Sequence, residues 1–251
     1  MFPIEARRCL FMCVMVPLLP LAAQTMAATS HYAAEVLADH PVAYYQLGEL
    51  PGATVAVDSS GNGNDGTYEL NPMLGVPGLI HDPAATAVNF AGGGNVTIPD
   101  AADLDFVNAP FTIEAWVNGT LSTQPCCHGN TRIYDKSDAG YPLGYGLDVA
   151  ATNVRLLGCG SNFAATARLS SNTTYHLVGV SDGVSRGAIY VKGRLLGLGL
   201  FSSCMPYTGA AHIAEGSNGL YQFGGVIQEV AVYNYALPHK RILAHYEAGI
   251  H

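Results

Sequence analysis

The stretch "DSSGNGNDGTYEL", Asp58 to Leu70, carries two chemistries in one run of residues. Gly61, Gly63 and Gly66 spell G-x-G-x-x-G, the spacing of a phosphate cradle. Asp58, Ser60, Asn62, Gly63 and Glu69 fall on positions 1, 3, 5, 6 and 12 of a calcium loop. A dinucleotide site needs a strand before the glycines and a helix after them, so that the helix N-terminus meets the pyrophosphate. Here Thr67 and Tyr68 favour a strand and Pro72 stops a helix early, so the nucleotide reading fails. A true EF-hand fails as well, because "GATVAV" precedes the loop in place of a helix and Asp65 occupies the usual apolar position 8. Two readings stay open. The oxygen-rich loop suits calcium, with Asp58 and Asn62 as ligands. Alternatively it is a tight turn whose Asp and Asn side chains bond their own backbone.

Other candidate chemistry is thinner. "GVSRG", Gly183 to Gly187, matches a nucleophile elbow, but that motif works only between a strand and a helix. Here it separates "HLVGVSD" from "AIYVKG", so a hairpin is expected. Glycosidases place two carboxyl groups about 5–9 Å apart across the scissile bond. "DLD" supplies two acids at strand spacing, Asp103 and Asp105, but in a loop-like stretch, and Glu114 stands alone on its run. No H-E-x-x-H zinc motif occurs. Sugar binding by stacked aromatic faces and hydroxyl-bonding side chains fits Tyr141, Tyr145, His212 and Asn218, with Tyr207 and Tyr221 as further loop aromatics. Trp116 lies within a strongly patterned strand and reads as core.

The elements that must position these residues are mostly strands. Short β-like runs such as "VAYYQLG", "NVTIP", "FTIEAWV", "YGLDV", "TYHLVGVSD" and "GGVIQEVAVYN" are separated by Gly, Asn, Pro and Asp. In Phe111 to Val117 the odd positions are apolar, while Thr112 and Glu114 face the other way. Turn signals about every ten residues indicate an all-β antiparallel sandwich or barrel. Helices are expected only at the ends: "HYAAEVLADH" before Pro41, and "LPHKRILAHYEAG", begun near Pro238 and closed by Gly249.

In this order the runs resemble the laminin-G-like jelly-roll domains, relatives of the concanavalin A-like lectins, glucanases and pentraxins. "VLADHPVAYYQLGE", "DSSGNGNDGTY", "AVNFAGGGNVTIP", "FTIEAWVN", "TYHLVGVSDG", "AIYVKGRLLG" and "GVIQEVAVYNYALPHKRILAHYEAG" carry the resemblance. It implies two curved antiparallel sheets stacked face to face, and a module that binds a glycan or an extracellular protein, often through calcium. It also implies a further metal ligand at Gln228, where relatives carry Asp. An amide oxygen there brings no charge and weakens a calcium site. The alternatives are a glycoside hydrolase or polysaccharide lyase on the same sandwich, or a structural surface protein. The strand motifs of related glucanases and lyases are missing from this chain, so no enzyme is expected.

The 251-residue chain is expected to divide into a signal peptide, residues 1–27, and one domain, residues 28–251. Arg7 and Arg8 precede the apolar run Cys9 to Ala23, and "QTMAA" follows as a cleavage site. Pro17 and Pro20 interrupt a run already short for a bilayer, so no membrane span is expected once the signal is removed. Beyond the signal, 9 Lys and Arg face 18 Asp and Glu, with no basic run, which argues against nucleic acid as a partner. The expected location is secreted, periplasmic or cell-surface. There the remaining cysteines, Cys126, Cys127, Cys159 and Cys204, are expected to form disulfides. Adjacent Cα atoms are about 3.8 Å apart, so Cys126 and Cys127 do not readily join each other. Either each pairs with Cys159 or Cys204, or one pair forms and two thiols stay free.

Overall fold

The structure is a computed structural model that describes residues 30–120, 130–138, 143–158, 163–202 and 206–251. The signal-like segment, Tyr141 and the four cysteines Cys126, Cys127, Cys159 and Cys204 lie outside the described residues, and the disulfide expectation lies there with them.

Two antiparallel sheets of eight strands each form the sandwich that the alternation predicts. Sheet A runs β14 (Arg194–Leu200), β13 (Arg186–Val191), β12 (Tyr175–Ser181), β7 (Phe111–Gly119), β16 (Gly225–Tyr233), β5 (Thr86–Asn89) and β4 (Met73–Pro77), with β1 (Ala43–Tyr45) also paired to β16. Sheet B runs β11 (Phe163–Thr166), β10 (Asn153–Leu157), β9 (Gly144–Ala150), β8 (Asn130–Ser137), β15 (Ala211–Ile213), β6 (Asn95–Ile98), β3 (Gly66–Glu69) and β2 (Val55–Ala56). Phe111, Ile113, Ala115 and Val117 of β7 point between the sheets, where they meet Leu147, Val149, Leu156 and Ile213 from sheet B. This is the main core, held by apolar burial.

The opposite face of β7, carrying Thr112, Glu114 and Trp116, is also covered. Helix α1 (His31–Ala38) and helix α2 (His239–Ile250) lie over it. Ser30 starts α1 by accepting from the Ala33 N–H at 3.0 Å. Tyr32, Ala33 and Val36 form its buried stripe. Pro238 precedes α2, as expected. Gly249, read from sequence as the helix stop, instead lies inside α2, where a Cβ would stand 2.3 Å from the Trp116 ring. The glycine lets helix and tryptophan approach each other, and Trp116 sits in this second core rather than between the sheets.

Charged groups are sealed beneath the helices. Glu114 is fully buried and accepts from Tyr32 Oη at 2.5 Å. His245 Nδ1 lies 3.0 Å from its Oε2, and His245 Nε2 lies 2.9 Å from Asp39 Oδ2. Both imidazole nitrogens thus face carboxylates, the geometry of an imidazolium. Arg241 continues the chain to Asp39 and Glu35, each at 2.6 Å. Burial alone would push the Glu114 pKa up, but His245 and the His176 imidazole, 3.3 Å away, hold it well below the usual carboxylate range. Burial alone would lower His245, and Glu114 and Asp39 raise it instead.

Glu229 is the contrasting case. It lies in a bulge of β16 at φ 57°, a left-handed conformation rare outside glycine, and is 2 % exposed. Tyr44 Oη donates to it and Gln228 Nε2 lies 3.2 Å away, with no ion-pair partner among the described residues. Burial raises its pKa to about 8.

Two expectations follow. Glu114→Ala leaves His245 buried without its main partner and should cost about 3–5 kcal/mol in urea melts, the range for breaking a buried pair. Between its ordinary value of 4.5 and about pH 8, native Glu229 keeps a proton that the unfolded chain releases, so stability falls as pH rises through that window. Glu229→Gln should flatten this fall and raise the melting temperature at pH 8. An unchanged pH profile would show that Glu229 ionises normally.

Candidate functional site

The helices cover the middle of the outer face of sheet A and leave Leu196, Leu198 and Leu200 of β14 exposed at its edge, while the outer face of sheet B is lined by polar side chains, of which Thr67 is exposed and Thr97 and His212 are half-buried. One row crosses four strands in register: Thr67 on β3 opposes Thr97 on β6, Thr97 opposes His212 on β15, and His212 opposes Asp135 on β8. Directly opposed residues share a face, so these side chains form a line across the sheet. Gly146 of β9 ends the row opposite Asp135, and a Cβ there would stand 2.8 Å from the Tyr134 carbonyl oxygen. A second row joins Arg132 of β8, Asp148 of β9 and Arg155 of β10.

A bulge makes the two rows meet. Arg132 and Asp135 have opposite parity along β8 and would face opposite ways on a regular strand. The register shift between Arg132 and Tyr134 inserts one residue, so Ile133 and Tyr134 turn into the core while Arg132 and Asp135 share the outer face.

The charges on this face are committed to one another. Asp148 is fully buried and accepts from Arg132 Nη1 and, bidentately, from Arg155 at 2.8 and 2.5 Å. Asp135, also fully buried, accepts from Ser137 Oγ at 2.7 Å and from the Ser217 N–H at 3.1 Å. Its pKa is raised by burial, which Arg132 opposes. Glu215 accepts from the Asn95 side chain. The pKa of His212 is lowered by burial, with Glu215 pulling the other way.

The 214–224 loop forms the rim. It is tied to β8 through Ser217 and through the Arg132 N–H, which donates to the Tyr221 carbonyl at 2.7 Å. The Tyr221 ring lies 4.5 Å from the Arg132 guanidinium carbon. Asn218, exposed near the loop tip, accepts from the Leu220 N–H at 3.1 Å.

From the expected ligand set, the structure places His212 on this face and Asn218 on the rim loop, which also carries Tyr221. Tyr145 requires correction. It is 4 % exposed, packs against Phe106 and Phe111, and donates to the Leu104 carbonyl at 3.0 Å. It is a core residue, and its inward direction shares the parity of Leu147 and Val149. Asp135, Asp148, Arg132 and Arg155 were not anticipated.

The Asp58 loop takes the backbone-bonded form. Asp58 Oδ1 accepts from the Tyr44 and Ser60 N–H groups and Oδ2 from that of Asn64, each at 2.9 Å. Asn62 turns its amide N–H toward the Pro41 and Val42 carbonyls, at 3.2 and 3.1 Å. Gln228 Oε1 accepts from the Leu79 N–H at 2.6 Å. Three backbone donors occupy the one carboxylate, and these side chains do not fit a calcium cage. Among the described residues no group of three or more His, Cys, Asp or Glu is placed to hold a metal ion.

Two antiparallel sheets with a polar outer face and a loop rim define a lectin-type sandwich. The chain belongs to the concanavalin A-like lectin/glucanases superfamily, whose family model matches residues 90–243. A search of curated proteins gives no match. Among solved structures, the binding domain of Paraclostridial Mosquitocidal Protein 1 superposes with TM-score 0.63 at 14% identity, covering 84% of this chain and 52% of that one. Domain 4 of AbnA, an extracellular GH43 arabinanase from Geobacillus stearothermophilus in complex with arabinotriose, gives 0.62 at 17%, covering 82% and 98%. Botulinum neurotoxin type C, whose cell entry depends on two ganglioside molecules, gives 0.61 at 12%, covering 87% and 53%. The chain spans about half the length of the toxin chains it matches.

Asp58→Ala strips the acceptor from three backbone N–H groups. At about 1–3 kcal/mol per unsatisfied buried group, partly offset by water, the melting temperature should drop by roughly 5–15 °C. The drop should be equal in calcium and in chelator. A larger loss in calcium would restore the cation to the loop.

Proposed function

We propose that the chain is an exported, non-catalytic binding module that holds a glycan or an extracellular protein on the outer face of sheet B, with a glycan as the better fit. The carrying observation is the registered row Thr67, Thr97, His212 and Asp135 beside the Tyr221 and Asn218 rim. A pyranose or furanose ring offers hydroxyls that both donate and accept, and Thr, His and Asn side chains answer in kind. Tyr221 adds an aromatic surface at the edge. The arabinotriose complex of AbnA domain 4 and the ganglioside dependence of the botulinum toxin support a binding role for this sandwich. The apolar segment after Arg7 and Arg8 supports export.

The non-catalytic part rests on how the carboxylates are used. A glycosidase leaves one acid free to donate a proton and another free to attack or to activate water. Here Asp148 is clamped by two arginines, Asp135 by Ser137 and Ser217, and Glu215 by Asn95. The second reading is a carbohydrate-active enzyme on the same face, favoured by the adjacency of His212 and Asp135.

A glycan array run alongside reducing-sugar release separates the two. Binding without release is expected. Tyr221→Ala and Asn218→Ala should each weaken binding about five- to tenfold, the scale of one aromatic or hydrogen-bonding contact. Sugar release abolished by Asp135→Asn would establish the enzyme instead.

A further inference from the structure

We infer that the glycan is electrically neutral, and that this face turns acidic glycans away. This rests on the outer face of sheet B being the binding surface, and it narrows the ligand class that surface accepts.

Recognition of a uronate, sulfate or sialic acid carboxylate calls for a cation with bonding capacity to spare, most often a bidentate arginine. The strands of sheet B carry three lysine or arginine residues, Arg132, Lys136 and Arg155. Each is already engaged. Arg132 and Arg155 both hold Asp148, and Arg132 Nε also lies 3.6 Å from Asp135. Lys136 is 1 % exposed and tied to Asp100 at 2.6 Å, to Asp105 at 3.0 Å and to the Tyr207 and Gly209 carbonyls. Residues 121–129, 139–142, 159–162 and 203–205 contain no lysine or arginine. They add no such cation, and exposed Arg168 follows β11 at the edge of sheet B, four strands from β15 and His212.

The balance of charge points the same way. Arg132 and Arg155 stand against three carboxylates, Asp135, Asp148 and Glu215. Exposed Glu69 lies on the same face, opposite Asn95. His212, whose pKa burial lowers, supplies no compensating charge near neutral pH. An anionic sugar would therefore meet a face whose two arginines are already charge-paired to its own carboxylates. A neutral polyol loses nothing by this arrangement, because hydroxyls bond to Thr, Asn and paired carboxylate oxygens alike.

The test uses the full chain and matched oligosaccharides: neutral arabino-, xylo- and gluco-oligomers against oligogalacturonate, sulfated and sialylated counterparts. Binding is measured at low ionic strength, where charge effects are largest. The expected result is binding of a neutral oligomer, with acidic counterparts at least tenfold weaker. Asp148→Asn frees Arg132 and Arg155 and should shift preference toward acidic glycans at least tenfold. A melting curve checks its fold, and Glu215→Gln, which lowers the negative charge without freeing an arginine, should shift preference the same way by less. Acidic glycans bound as tightly as neutral ones by the unaltered protein would overturn the inference while leaving the binding surface intact. Failure to bind any glycan, or neutral binding untouched by Tyr221→Ala, would instead overturn the assignment of the surface.

Discussion

Glu114 stands in the middle of β7 with no solvent around it, and its charge is tolerable there because Tyr32 and His245 reach it from the two helices and His176 lies 3.3 Å away on β12. The requirement runs in both directions. The carboxylate needs the helices for its partners, and the helices need it to place His245 and, through Asp39, Arg241. Between them they cover the middle of the outer face of sheet A. A two-sheet sandwich has two outer faces, and fastening helices to one of them decides where a ligand can be met.

On the open face, position depends on a small irregularity. Without the bulge near Ile133, Arg132 would point into the apolar core or Asp135 would. With it, both join the polar surface and the Arg132–Asp148–Arg155 row becomes possible. The same residues then set the character of the face. Because its arginines are spent on its own carboxylates, it is rich in hydrogen-bonding capacity and poor in available positive charge. Its neighbours among solved structures share the sandwich at 12% to 17% identity, which shows a common scaffold.

Much of the scaffold is legible along the chain because strand alternation and turn residues are local signals. The inward set Phe111, Ile113, Ala115 and Val117 could be read from period two alone, and so could the hairpin at "GVSRG". The site was less legible, since its rows are built across strands. His212 and Asp135 lie far apart in sequence, and only register makes them neighbours. Glu114 looked solitary because its partner His245 is 131 residues away. Tyr145 was misplaced although a local signal existed: "YGLDV" alternates, and Tyr145 shares its parity with Leu147 and Val149. The Asp58 loop is the instructive intermediate case. Its composition is that of a metal loop, and composition does not reveal which oxygens the backbone will claim.

Glu229 and His245 have one further consequence. Both hold protons more firmly in the native state than in the unfolded chain, one because burial disfavours its anion and the other because carboxylates surround its cation. Near neutrality, unfolding therefore releases acid into the surrounding buffer. The heat recorded by a calorimeter would then contain the buffer's own ionisation enthalpy, and phosphate and Tris would report different values for the same conformational change.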